Sequence, residues 1–167
     1  MQIRSTMKNP LLYILIPAGF LLVACPYETA VPISKPEVNT NHTLSGTWQD
    51  AIDTTTTYKV SEQNKFYYKI LEAHNDGSEP KHYQAYASTI NGSTFLNLWE
   101  DVPDEKPRYL LYKLEIRNAN SILLIEVTEN IDEQFSSSDQ LKKFIENNMN
   151  NSYFFSKSET ELVRIGK

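Results

Sequence analysis

The sequence predicts a mainly β domain: an eight-stranded antiparallel meander that closes into a barrel, with one helix before the last strand. Three observations predict it. From residue 44 onward, short extended segments alternate with turn residues, a pattern typical of antiparallel sheets. Most connections between neighbouring segments are short, so consecutive strands are expected to pair. An open sheet of this kind would keep two unpaired edges, and closure into a barrel removes them.

Eight segments have the length and composition of strands. The dipeptide Asn91-Gly92 between the fourth and fifth segments is the strongest hairpin signal, and residues 62–64 and 117–120 also suit turns. In chain order the predicted strands are 44–51, 54–61, 65–73, 81–90, 93–100, 108–116, 121–128 and 154–165.

One segment between the last two strands has helical periodicity. Ser137 and Gln140 are spaced as a capping box. After them, Leu141, Phe144 and Ile145 fall on one face at helical spacing. We expect this helix to bury its apolar face against the barrel, although a gating role is an alternative.

Residues 1–24 are predicted to be a cleaved targeting segment. Arg4 and Lys8 form a positive start, and residues 11–23 form an apolar run of 13 residues that ends at a small Ala24. A membrane-spanning helix needs about 20 apolar residues, so an uncleaved anchor is the weaker alternative.

The tetrad Leu22-Val23-Ala24-Cys25 at the end of this run resembles the lipobox of bacterial lipoproteins. That resemblance implies cleavage before Cys25, lipid on its thiol, and attachment to a membrane. Because Pro26 rather than an aspartate follows, it also implies the outer membrane, facing the periplasm, in a cell with two membranes. Cys25 is the single cysteine, so the mature domain can form no internal disulfide.

Residues 25–43 are predicted to form a proline-containing stalk before a barrel domain at 44–167. Pro26, Pro32 and Pro36 interrupt a polar segment and favour extended backbone. At ~3.1 Å per residue such a spacer reaches at most about 55 Å. The alternative is that residues 27–33 dock a partner.

The segment Leu44-Ser45-Gly46-Thr47-Trp48 resembles the Gly-x-Trp signature on the first strand of lipocalin-like barrels. Arg164, on the predicted last strand, matches the arginine that packs over that tryptophan in those barrels. The resemblance implies that Gly46, Trp48 and Arg164 form the floor of a lipocalin-like barrel.

Eight strands enclose either a filled core or a cavity for one small ligand. Alternation assigns Phe66, Tyr68 and Ile70 of the third strand to one face, which we expect to point into the barrel. It does the same for residues 110, 112, 114 and 116 of the sixth strand and for 123, 125 and 127 of the seventh. These side chains are large, but Ala85 and Ala87 beside Tyr83 could leave room for an apolar guest. The candidate ligand-binding residues are Tyr68, Tyr83, Ala85, Ala87 and Tyr112.

Composition argues against several classes of function. The net charge is -5, and -7 after removal of residues 1–24, and no cluster of basic residues is present to bind nucleic acid. We expect no cofactor and no enzymatic activity, because no nucleophile lies near a base and no glycine-rich loop could hold a phosphate. His74 and His82 could meet across a hairpin with Asp76 or Glu79, but exposed histidines of this kind are usually only solvated, so we expect no metal site.

Two classes of function remain. In the first, the barrel of a membrane-anchored envelope lipoprotein binds a small apolar or amphipathic ligand. In the second, the barrel has a solid core and its exterior docks another envelope protein, with Tyr67, Tyr86 and Tyr109 as candidate interface aromatics.

Overall fold

The computed structural model describes residues 27–127, 131 and 133–166, apart from the side chain of residue 158. The predicted signal peptide, Cys25 and the predicted strand end at residue 128 lie outside the described residues. In chain order the elements are β1 (Glu28–Thr29), a 3-10 helix (His42–Leu44), β2 (Gly46–Asp50), β3 (Thr56–Glu62), β4 (Tyr67–His74), β5 (Lys81–Ile90), β6 (Ser93–Glu100), β7 (Tyr109–Asn118), β8 (Ser121–Val127), α1 (Ser138–Asn148) and β9 (Phe155–Gly166).

Strands β2 to β9 form a closed, eight-stranded antiparallel barrel. Each strand pairs with the next along the chain, and β9 pairs back with β2, where Trp48 lies opposite Arg164. The β5–β6 turn has φ angles of 48° at Asn91 and 79° at Gly92. Two positive φ angles are what a type I′ hairpin turn requires. The predicted strand count, meander order and closure are therefore confirmed.

The two ends of the barrel differ. At the end where β2 begins, the 3-10 helix leads into the barrel and its last residue, Leu44, is buried against the interior. We call this the closed end. The opposite end, where β2 ends and β3 begins, is the open end. The short strand β1 lies at the open end, because Thr29 pairs with Tyr109, the first residue of β7.

Strand β8 is buried on both of its faces, and this corrects one prediction. Leu123, Ile125 and Val127 were expected to face the interior, but Ile122 and Leu124 line it instead. Val127 packs outside the barrel, in a cluster that includes residues of the β8–β9 connection and of α1. Residues 122–125 of this strand are all apolar because both faces are covered, so alternation does not identify its inward side.

The helix α1 lies on the outer wall. Its N-cap is Ser137, whose hydroxyl accepts a hydrogen bond from the Gln140 N–H at 3.3 Å, as the capping box predicts. Leu141 and Ile145 are each 1% exposed and belong to an outer core. The buried members of that core are Tyr27, Ile33, Ile90, Phe95, Leu111, Val127, Ile131, Leu141, Ile145 and Phe154.

Residues 27–34 also pack against the outer wall, so the spacer prediction is wrong for them. Ile33 is completely buried, and its N–H donates a hydrogen bond to Asn97 Oδ1 at 2.8 Å. The Tyr86 hydroxyl donates to the Ser34 carbonyl at 2.7 Å. Its apolar side chains and its hydrogen bonds to β5 and β6 hold the segment on the barrel.

Candidate functional site

The barrel encloses a cavity of about 200 Å³. Its lining comes from the 3-10 helix and from strands β3 to β9. The apolar lining residues are Leu44, Val60, Ile70, Ala85, Leu96, Leu98, Leu110, Leu114, Ile122, Leu124 and Leu162, and the polar ones are Tyr58, Tyr68, Glu72, Tyr83, Tyr112 and Thr160. The large inward side chains therefore do not fill the barrel, and its interior has the mainly apolar character of a small-molecule site.

The floor of the barrel, at its closed end, is held by Arg164, which lies outside the cavity lining. Its guanidinium carbon lies 4.2 Å from the centroid of the Trp48 ring, close enough for a cation–π contact. Its Nη1 donates to the Ser45 carbonyl at 2.7 Å, and its Nε donates to the Ala119 carbonyl at 2.9 Å. A third bond runs from Nη2 to the Thr43 carbonyl. One side chain thus ties the chain before β2 to the β7–β8 turn.

Trp48 and Gly46 complete the floor. Trp48 is completely buried, and its Nε1–H donates to the Leu44 carbonyl at 2.8 Å. Gly46 has a φ of +141°, and a Cβ there would lie 2.1 Å from Arg164 Nη1 and 2.8 Å from the Gly166 carbonyl oxygen. Only glycine fits this position, because the backbone angle and the approach of the arginine both exclude a side chain. The structure therefore brings the three predicted floor residues together.

Four of the five candidate ligand residues line the cavity: Tyr68, Tyr83, Ala85 and Tyr112. Ala87, two residues further along β5, is buried but lies outside the lining, so the structure does not place it with the other four. The Tyr68 hydroxyl accepts a hydrogen bond from the Asn41 N–H at 2.5 Å. Tyr68 therefore fastens the N-terminal segment as well as lining the floor.

Sequence reasoning missed Glu72 and Tyr58, which line the cavity toward its open end. The two residues are direct cross-strand partners, so their side chains share a face of the sheet. The same arrangement occurs at each of the other two tyrosines of this region. The three pairs are Tyr58 with Glu72, Tyr83 with Glu100, and Tyr112 with Glu126. Period-two counting forward from Tyr68 and Ile70 reaches Glu72, but its pairing with Tyr58 follows only from the strand register.

Burial and nearby carboxylates keep these tyrosines protonated. Burial, reinforced by the Glu72 carboxylate, raises the pKa of Tyr58 to about 12 and that of Tyr83 to about 12. Burial followed by the Glu126 carboxylate raises the pKa of Tyr112. At neutral pH all three are neutral hydroxyls that can donate a hydrogen bond.

Glu72 is mostly buried, with 16% of its side chain exposed. Its Oε1 lies 2.9 Å from His74 Nε2, and the Nδ1 of that imidazole lies 2.9 Å from Thr56 Oγ1. His82 pairs with Leu71 and so lies on the opposite face of the sheet from His74. The two histidines therefore do not meet, and no cluster of three or more metal-ligating side chains occurs among the described residues.

Comparison with known proteins identifies no relative: no family model, no curated protein and no solved structure matches the chain. No helix within the described part of the chain is long and apolar enough to cross a membrane.

Proposed function

We propose that the chain is a lipid-anchored envelope protein whose lipocalin-like barrel binds a small apolar or amphipathic molecule and has no enzymatic role. The cavity carries this proposal. It is bounded by apolar side chains from seven of the eight barrel strands, and Tyr58, Tyr83 and Tyr112 lie near the Glu72 carboxylate. Such a cavity can remove the apolar surface of a ligand from water and orient the polar group of that ligand.

The size of the cavity limits the ligand. An apolar cavity of roughly 150 Å³ is enough to hold benzene. A volume of about 200 Å³ therefore suits a ring-sized group or a short alkyl chain rather than a long lipid. A longer molecule would have to extend beyond the open end.

The floor supports the lipocalin-like classification. Lipocalin-like barrels carry a Gly-x-Trp signature on the first strand and an arginine from the last strand over the tryptophan. Here Gly46, Trp48 and Arg164 have that arrangement, in a barrel whose strands have the same meander order.

The anchor is proposed from the lipobox-like tetrad that ends at Cys25. Two further residues lead to Tyr27, which is 7% exposed in the outer core. A chain extends at most about 3.6 Å per residue, so lipid on Cys25 would hold the barrel within about 7 Å of the anchored residue. We propose attachment to the outer membrane, on the periplasmic side, with the domain close to the bilayer.

A group of aromatic side chains on the outer wall favours protein docking as the second candidate. Trp99 makes edge-to-face contacts with Tyr67, Tyr86 and Tyr109 at ring-centroid distances of 5.5 to 6.2 Å. Tyr86 is buried, but the other three rings keep part of their surface exposed. Aromatic side chains of this kind are enriched in protein interfaces.

Native mass spectrometry of the full chain, purified from its own cells, tests the binding function. We expect an additional mass that disappears on denaturation. The variant Ala85→Leu places a larger side chain in the cavity and should lose that mass, whereas Ala51→Leu, the same change at an exposed site, should keep it. If Ala85→Leu folds and still carries the molecule, the ligand does not occupy this cavity.

The anchor is tested separately. Cys25→Ser should abolish lipid labelling and leave uncleaved precursor in the membrane fraction. Normal processing of this variant would contradict the lipoprotein proposal without affecting the binding proposal.

A further inference from the structure

The polar side of the cavity is negative. Glu72 is the one charged residue among the described side chains that line it. Lys81, its cross-strand neighbour on β5, is exposed and lies outside the lining. Within the described part of the chain, the Glu72 carboxylate has a hydrogen bond with His74, between Oε1 and Nε2. A mostly buried carboxylate therefore faces the cavity without a lysine or arginine in the lining.

Aromatic rings surround the same region. Tyr58, Tyr83 and Tyr112 come from three different strands, and each lies opposite a glutamate in the sheet register. The face of an aromatic ring is electronegative and attracts cations, with about 0.5 to 2 kcal/mol gained per contact depending on exposure to water. The three tyrosines therefore favour a cation in this region, as the Glu72 carboxylate does.

The three hairpin connections at the open end have the same sign of charge. Hairpin connections β2–β3, β4–β5 and β6–β7 all lie there. Together they contain six acidic and two basic residues: Asp53, Asp76, Glu79, Asp101, Asp104 and Glu105 against Lys106 and Arg108. An excess of negative charge around an entrance raises the local concentration of cations and slows the approach of anions.

We propose that the cavity selects a small amphipathic cation, with an ammonium group against Glu72 and the tyrosines and an apolar group against the leucines nearer the floor. This inference rests on the proposed ligand-binding function and names the class of ligand. A cation compensates the desolvated carboxylate, whereas a fatty carboxylate would place two like charges in one poorly hydrated space. With about 200 Å³ available, a short alkylamine or a ring-bearing amine fits.

Calorimetric titration of the purified full chain with three probes of equal chain length tests the selectivity: n-hexylammonium, 1-hexanol and hexanoate. We expect hexylammonium to bind at least tenfold more tightly than hexanoate, with hexanol between them. Glu72→Gln keeps the shape of the side chain and removes its charge. It should reduce hexylammonium affinity to that of hexanol and leave hexanol affinity unchanged, which also shows that the cavity is intact.

Glu159→Gln is the matched control, because it removes the same charge from an exposed position on β9. It should leave all three affinities as they are. If hexanol and hexanoate bind as tightly as hexylammonium, the cation preference is refuted while the binding function stands. If none of the three probes binds, the binding function itself is refuted.

Discussion

Replacing Gly46 by alanine tests the floor of the barrel most directly. The added Cβ would lie 2.1 Å from Arg164 Nη1 and 2.8 Å from the Gly166 carbonyl oxygen, at a φ of +141°. The backbone angle alone costs about 1 to 3 kcal/mol for a residue other than glycine. Arg164 must also move away, which weakens its charged hydrogen bond to Ser45, a loss of about 1.5 to 3 kcal/mol. We therefore expect Gly46→Ala to lower the free energy of unfolding by about 3 to 6 kcal/mol.

Gly77 provides the matched control. It also has a positive φ, of +80°, but a Cβ there would meet nothing within 4 Å. Gly77→Ala should therefore cost only about 1 to 2 kcal/mol, from the backbone angle. Urea unfolding followed by tryptophan fluorescence gives both values from the shift in midpoint, provided that the m-value is unchanged.

A double-mutant cycle with Arg164→Ala separates the two causes. In that background the guanidinium no longer obstructs the Cβ, so Gly46→Ala should cost about 1.5 to 3 kcal/mol less than it does in the parent chain. Equal costs in both backgrounds would show that Arg164 does not approach Gly46 closely. A cost for Gly46→Ala no larger than for Gly77→Ala would refute the close approach altogether.

Three further changes test other parts of the structure. Trp48→Ala removes a fully buried ring and should lower the unfolding free energy by about 3 to 5 kcal/mol in urea melts; a negligible effect would contradict the proposed floor. Ile33→Ala should lower the unfolding free energy by about 2 to 5 kcal/mol, because the side chain is completely buried. The control Ile52→Ala, at a side chain that is 91% exposed, should change it by no more than about 0.5 kcal/mol. Equal effects would mean that the N-terminal segment does not pack on the barrel. Folding raises the pKa values of Tyr58 and Tyr83 from 10.0 to about 12, so at high pH the folded state keeps protons that the unfolded state releases. The free energy of unfolding should therefore be unchanged below pH 10 and fall as the pH rises above 10 and through 12. Denaturation midpoints measured across this pH range, together with phenolate absorbance, would show this.

The parts of the fold that local sequence determines were predicted well. The predicted strands 81–90 and 93–100 coincide with β5 and β6, because Asn91-Gly92 is a turn signal that depends on two adjacent residues. The first barrel strand was predicted too long. It begins at Gly46 rather than residue 44, since His42–Leu44 form a 3-10 helix whose N-cap, Asn41, accepts a hydrogen bond from the Thr43 N–H.

The candidate site was only partly predictable, because a cavity forms where the inward side chains are too small or too far apart to fill the interior of the barrel. Alternation correctly assigned Tyr68, Tyr83 and Ala85 to the inner face of their strands, but it could not show that the lining ends before Ala87. Nothing local marks Glu72 as a cavity residue, because a charged residue near a strand end is usually solvated. Its burial depends on the neighbouring strands, and those pairings are not encoded locally.

The N-terminal segment shows most clearly how contacts distant in sequence override composition. Prolines and polar residues predict a spacer, yet Ile33 reaches Asn97, 64 residues away in sequence, and Asn97 is itself completely buried. Its amide donates to the Ser88 hydroxyl at 2.9 Å, and that hydroxyl lies 2.7 Å from the Ser34 hydroxyl. A buried polar network of this kind is stabilising only when every member is satisfied. Removal of the segment would take away the N–H that donates to Asn97 Oδ1 and the Ser34 hydroxyl that contacts Ser88. The segment is therefore part of the folded domain, and any lipid on Cys25 would be joined to the barrel itself rather than to a flexible linker.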